Sequence, residues 1–109
     1  MNKSDRQRIN DILAASRNIV EIADEGWSGF QQSWRSVSVA CYEMVVIGEA
    51  ASRLSAEFVA QNPDLPLREA KALRNFVVHE YAKVDRRALW EATTRSVPDF
   101  ARGLRSASG

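Results

Sequence analysis

The stretch Val37–Ser55, VSVACYEMVVIGEAASRLS, decides the fold. Through it and just beyond, Val37, Ala40, Cys41, Met44, Ile47, Ala51, Leu54 and Phe58 recur at three- and four-residue spacing. That spacing is the signature of a helix with one apolar face. Between Met44 and Ala51 the apolar residues spread beyond this stripe, and Gly48, Ala50 and Ala51 are small enough to admit a second helix closely. A helix that is apolar on more than one side must be covered on more than one side. Either it is central within one bundle, or a second copy of the chain supplies part of the cover. The pattern alone leaves both open.

Working outward, this helix is predicted to run roughly from 31 to 60. Ahead of it, Ile9, Ile12, Leu13, Ile19, Val20 and Ala23 mark another helix, with Ser4 as candidate cap and Asp5 suited to its positive first turn. Gly26 and Gly29 interrupt the pattern, and Trp27, Phe30 and Trp34 are expected to anchor the connection to the core. Behind it, QNPDLP (Gln61–Pro66) carries two prolines and forces a break. A third helix is predicted from near Leu67. A fourth is predicted from about Asp85, its candidate N-cap, to Leu104, with Val84, Ala88, Leu89, Ala92 and Phe100 apolar. Pro98 should kink it or split off its last turn. The pattern contains no strand, repeat or low-complexity tract. The expectation is an all-α, four- to five-helix up-and-down bundle, one domain over residues 1–104, with 105–109 a disordered tail.

Composition narrows the function classes. The 109 residues, 45% apolar and 27% charged, suit one soluble domain with a modest core, for which oligomerisation is a natural source of further burial. A net charge of +1 argues against a surface-wide trap for nucleic acid and leaves room for a local basic site. Cys41 is the only cysteine and His79 the only histidine, so an intramolecular disulfide and the usual structural zinc sites are excluded. The opening MNKSDRQRIND is polar, unlike a signal peptide, and no stretch approaches the ~18 apolar residues of a membrane span. The expected compartment is the cytosol.

The chemistry concentrates in LRNFVVHEYAKVD, Leu73–Asp85. Arg74 offers a fixed charge in a planar fork that fits phosphate oxygens. His79 titrates near neutrality and can act as general acid or base. Asn75 can orient either group or bond a phosphate. On a regular helix five residues turn through about 500°, which leaves Arg74 and His79 ~140° apart. They do not share a stripe, so helix distortion, the reach of the arginine stem, or a two-fold axis between copies must bring them together. Arginine with histidine, without acidic metal ligands, suits metal-free cleavage of RNA, in which the 2′-hydroxyl attacks the adjacent phosphorus. Glu49 and Glu80 could each pair with Arg74, tune His79 or lie on a solvated face. Arg68, Lys71, Lys83, Arg86 and Arg87 flank the motif and could supply a local positive field.

Arg-x4-His-x-Tyr, here Arg74, His79 and Tyr81, resembles the signature of the HEPN superfamily. More closely, the chain is similar to the HepT-like toxins of prokaryotic toxin–antitoxin pairs. The resemblance extends to VVIGEAASRLS (Val45–Ser55), NPDLPLRE (Asn62–Glu69) and Trp90, and so covers nearly the whole chain. It implies an all-α homodimer whose two motifs face one cleft. It also implies a metal-independent endoribonuclease with no cofactor, and a nucleotidyltransferase antitoxin that transfers AMP onto Tyr81. Residue by residue, Arg74 would bind the scissile phosphate, His79 would be the acid/base, and Asn75 and Glu80 would support them. The chain departs from the family where Leu67 replaces a frequent tryptophan, and where Ser38 and Tyr42 replace a frequent acid and arginine. Those departures imply a thinner polar network around the site. The competing reading is a non-catalytic nucleotide- or substrate-binding subunit for a nucleotidyltransferase.

Overall fold

A computed structural model describes residues 1–80 and 85–108, the side chains of residues 78–80 left aside. It contains helices α1 (Lys3–Ala23), α2 (Gly26–Gln32), α3 (Trp34–Ser52), α4 (Ala56–Gln61), α5 (Leu67–Glu80), α6 (Arg86–Glu91) and α7 (Val97–Ser108), with a π-helical stretch, Ala92–Ser96, joining the last two. The all-α bundle expected from the periodicity is what forms, and there is no strand among the described residues.

α3 is the central element. It packs along α5 on one side and α1 on the other, while α1 also meets α7 and the π-helical stretch. Asn18 bonds Glu43, and Asp5 bonds Ser55, so α1 and α3 run antiparallel. The wide apolar character of α3 is therefore largely answered within one chain. Met44 and Ile47 are fully enclosed, and Ala40, Cys41 and Ala51 are buried beside them. Gly48 explains how α5 comes so near. A Cβ placed there would lie 2.6 Å from the Arg74 Cβ and 2.9 Å from its backbone nitrogen. An outward stripe of α3 stays uncovered, with Val39 and Tyr42 exposed.

The helix expected over 31–60 is three helices. Ser33 caps α3 through the Ser36 N–H (3.1 Å), and Ser55 caps α4 through the Phe58 N–H (3.1 Å). What makes the second break stable lies fifty residues away. Asp5, only 3% exposed, accepts hydrogen bonds from the Ser55 N–H (2.8 Å) and hydroxyl (2.6 Å). A buried carboxylate with partners of this kind satisfies donors that the helix break would otherwise leave unmet. Asn2, not Ser4, caps α1: its Oδ1 accepts from the Asp5 N–H at 2.7 Å. Gly26 enters α2 at φ +76°, a conformation that suits glycine.

Trp27, Phe30 and Trp90 form an aromatic cluster with centroids 5.0–6.5 Å apart, tying α2 to α6. Trp34 does not join it. It stands 67% exposed with the Arg35 guanidinium 5.3 Å above its ring. Asp85 caps α6 as expected, accepting from the Arg87 N–H at 2.9 Å. The fourth helix is divided ahead of Pro98 by the π-helical stretch. Proline has no N–H to give to the preceding turn, and the wider turn accommodates that loss. The segment 105–108, expected to be disordered, instead continues α7. Leu104 is fully buried, Ala107 packs on the core, and the Ser108 hydroxyl donates to the Leu104 carbonyl at 2.8 Å.

Gly48→Ala should lower unfolding free energy by roughly 1–3 kcal/mol, the cost of forcing extra volume into a packed contact, as read by urea denaturation. The Ser55 hydroxyl, acting against burial, holds the Asp5 carboxyl below its ordinary value of 3.8. Its stabilising effect is present above that pH and is lost as pH falls through the lowered folded-state value. Acid titration of Asp5→Asn should lack that component of the stability loss, and its urea midpoint at pH 7 should be lower than that of the parent chain.

Candidate active site at the α3–α5 crossing

The site begins with the contact that Gly48 permits. Because the Arg74 backbone rests on α3 there, its side chain leaves α5 at the seam between the two helices. The next residue on α3 is Glu49, whose Oε1 lies 2.5 Å from the Arg74 Nε. The Arg74 Nη1 donates to Asn75 Oδ1 at 3.2 Å. Arg74 and Glu49 are each somewhat under half exposed, at 43% and 42% of the side chain. At that exposure an ion pair contributes little to stability. Its consequence is orientation: Glu49 takes the Nε side and Asn75 one Nη1 hydrogen, and the remaining Nη N–H groups can meet a planar oxyanion.

Of the residues singled out in the sequence, the structure brings Arg74 together with Asn75 and with Glu49, one of the two carboxylates offered as its partner. His79 and Glu80 lie in the last turn of α5, and their side chains fall outside the described residues, as does the whole of Tyr81. The flanking cations divide. Arg87 stacks over Trp27 at 4.5 Å and Arg86 Nη1 donates to the Gln31 carbonyl, so both serve the α2–α6 junction. Arg68 and Lys71 are exposed on α5, and Lys83 lies outside the described residues. Leu67 is buried at the start of α5, where the frequent tryptophan of the resembling family would stand.

Beside this pair runs a groove of about 270 Å³ between α1 and α3, lined by Arg8, Asp11, Val45, Val46, Glu49 and Arg53. Glu49 thus belongs both to the groove and to the Arg74 contact. Nothing in the linear motif pointed to Arg8, Asp11 or Arg53. Cys41 is buried one turn before Val45, and burial pushes its thiol above the ordinary range. It has the character of a core residue and not of a nucleophile.

A helical bundle that presents an oriented arginine at an open seam, next to a partly basic groove, is equipped to bind a phosphate-bearing ligand. Comparison with known proteins identifies the class more closely. Residues 12–107 match the family model described as Ribonuclease HepT-like. The chain is similar to the "Probable ribonuclease HepT" of Thermococcus cleftensis, with 27% identity over 101 residues and 92% of each chain covered. It is likewise similar to the "Putative RNase MJ1380" of Methanocaldococcus jannaschii, with 27% identity over 89 residues, covering 81% of this chain and 82% of the relative. No solved structure matches it significantly. The chain belongs to the HepT-like ribonuclease family.

Because the Glu49–Arg74 pair orients more than it stabilises, Glu49→Gln should move the urea midpoint by less than about 1 kcal/mol equivalent. The same variant should slow RNA cleavage by roughly 10-fold or more, the scale expected when a binding group loses its alignment. Paired denaturation and cleavage assays check both halves.

Proposed function

We propose that the chain is the toxin of a toxin–antitoxin pair and acts as a metal-independent endoribonuclease. The observation that carries this reading is Arg74, paired with Glu49 at the α3–α5 crossing and still partly exposed, in a chain of a ribonuclease family. Arg74 binds a non-bridging oxygen pair of the scissile phosphate and balances the charge that grows there as the 2′-oxygen attacks. His79 takes the proton from the 2′-hydroxyl or supplies one to the departing 5′-oxygen. Asn75 keeps the guanidinium in plane, and Glu80 supports His79.

Arg74 and His79 are five residues apart on one helix, which separates them by ~140° if the helix is regular. A homodimer that opposes two copies of α5 across a two-fold axis gives each phosphate an arginine and a histidine without distorting the helix. The uncovered α3 stripe at Val39 (45% exposed) and Tyr42 (67% exposed) supports such an association. The toxin works in the cytosol and is silenced by a nucleotidyltransferase that moves AMP from ATP onto Tyr81. Each AMP adds bulk and negative charge two residues from His79, which closes the site to an RNA backbone.

The test is a cleavage assay on single-stranded RNA with unmodified protein. Arg74→Ala should lose about 10²–10³-fold in rate, and His79→Ala about 10²–10⁴-fold, each with an unchanged helical spectrum. Co-expression with a cognate nucleotidyltransferase should add AMP mass to the peptide holding Tyr81 and remove the activity. An unmodified chain that binds RNA and never cuts it would return the protein to the class of non-catalytic binding subunits.

A further inference from the structure

The groove beside Glu49 has features that cleavage of a single phosphodiester does not use. Its floor is apolar, built from Val45, Val46 and Ala50. Its rim carries Arg8 from α1 and Arg53 from the end of α3, with Asp11 as the opposing charge. Glu49, the other carboxylate in the wall, is already engaged by Arg74. Among the described residues neither Arg8 nor Arg53 forms an ion pair, and the Arg8 Nε is enclosed with no hydrogen-bond partner. Arg8 and Arg53 thus line this partly apolar groove without a carboxylate partner among the described residues. The same arrangement matches a group that presents oxyanions above an apolar face. The volume, about 270 Å³, lies near the lower end of small-molecule sites, roughly 300–1,000 Å³.

We propose that this groove is a second nucleotide subsite, in which Arg8 and Arg53 hold the phosphate of a neighbouring nucleotide while its sugar or base rests on Val45, Val46 and Ala50. The inference rests on the ribonuclease reading. It extends the strand path from Arg74, across Glu49, into the α1–α3 groove. The recognised chemistry is a phosphorylated nucleotide unit, carried by the RNA strand. A free mononucleotide presents the same groups, so the test separates the two.

Arg8→Ala, Arg53→Ala and the double variant would be assayed for cleavage of a single-stranded oligoribonucleotide and of a dinucleotide that spans only the Arg74 site. The same substitutions in a His79→Ala background would be titrated with labelled oligonucleotide and with AMP by fluorescence anisotropy. The expected result is a KM for the oligonucleotide raised about 10-fold in the double variant, with kcat and dinucleotide cleavage unchanged. The logarithmic salt slope of binding should fall by roughly 0.7 per arginine removed, the counterion release of one single-strand phosphate contact. Arg53 is exposed at a helix end, so its variant keeps the test valid if loss of Arg8 disturbs packing. Unchanged KM and salt slope in Arg53→Ala and the double variant would overturn the subsite while leaving Arg74 chemistry intact. AMP bound as tightly as the oligonucleotide would overturn its assignment to the RNA strand. Loss of oligonucleotide binding in variants of a chain that never cleaves would uphold the subsite and remove the ribonuclease reading instead.

Discussion

The structure depends on one close approach. At Gly48 the central helix has no side chain, and α5 uses that space to lay the Arg74 backbone against it. Helices with ordinary side chains at their contact sit 8–10 Å apart, and glycine permits the near end of that range. The approach fixes more than packing. It sets where the Arg74 side chain can emerge, and it makes Glu49, the next residue along α3, the nearest acceptor. Fold and site therefore share one constraint, since whatever separates α3 from α5 also releases the arginine.

The electrostatics follow the same economy. Fifteen Lys and Arg nearly cancel fourteen Asp and Glu, leaving +1, so no long-range field draws RNA to the whole surface. What remains is local. Arg74 is held by its Nε side, Arg86 and Arg87 are spent on the α2–α6 junction, and Arg8 and Arg53 rim the adjoining groove. The carboxylates do structural work where they are buried: Asp5 secures the α3–α4 break, and Glu43 receives the Asn18 amide. Glu49 differs in that it stays partly exposed and pairs with the equally exposed Arg74.

Much of this was legible in the sequence, for identifiable reasons. Local periodicity reported the helices, the Asp85 cap and the start of α5 at Leu67, because those depend on neighbours three and four residues away. It also showed that α3 needed cover on two sides and that Gly48 invited a helix. It could not say which helix, because a small residue records an approach and not its partner. The break near Ser55 was missed because its cause is Asp5, fifty residues earlier in the chain and brought beside it only by the fold. The exposure of Trp34 and the helical continuation through Ser108 were missed because an aromatic suggests burial and a polar tail suggests disorder, while tertiary contacts decide both. At the site, Arg74 and Asn75 stood out by their chemistry, and the choice of Glu49 as their partner needed the fold. Arg8 and Arg53 sit at distant positions, and although Arg53 falls within the VVIGEAASRLS block, only the packing of α1 on α3 brings the two together.

In the proposed mechanism Arg74 serves a metal-free attack by the 2′-oxygen on phosphorus. The most direct measurement is the chemistry of the cut ends, determined by mass spectrometry on RNA fragments produced by the unmodified chain in excess chelator. Fragments ending in a 2′,3′-cyclic phosphate, paired with a 5′-hydroxyl, are the predicted result, because attack by the neighbouring hydroxyl leaves that ring and no other nucleophile does. Fragments carrying a 5′-phosphate and a 3′-hydroxyl, or activity that vanishes with the chelator and returns with a divalent cation, would rule out this mechanism.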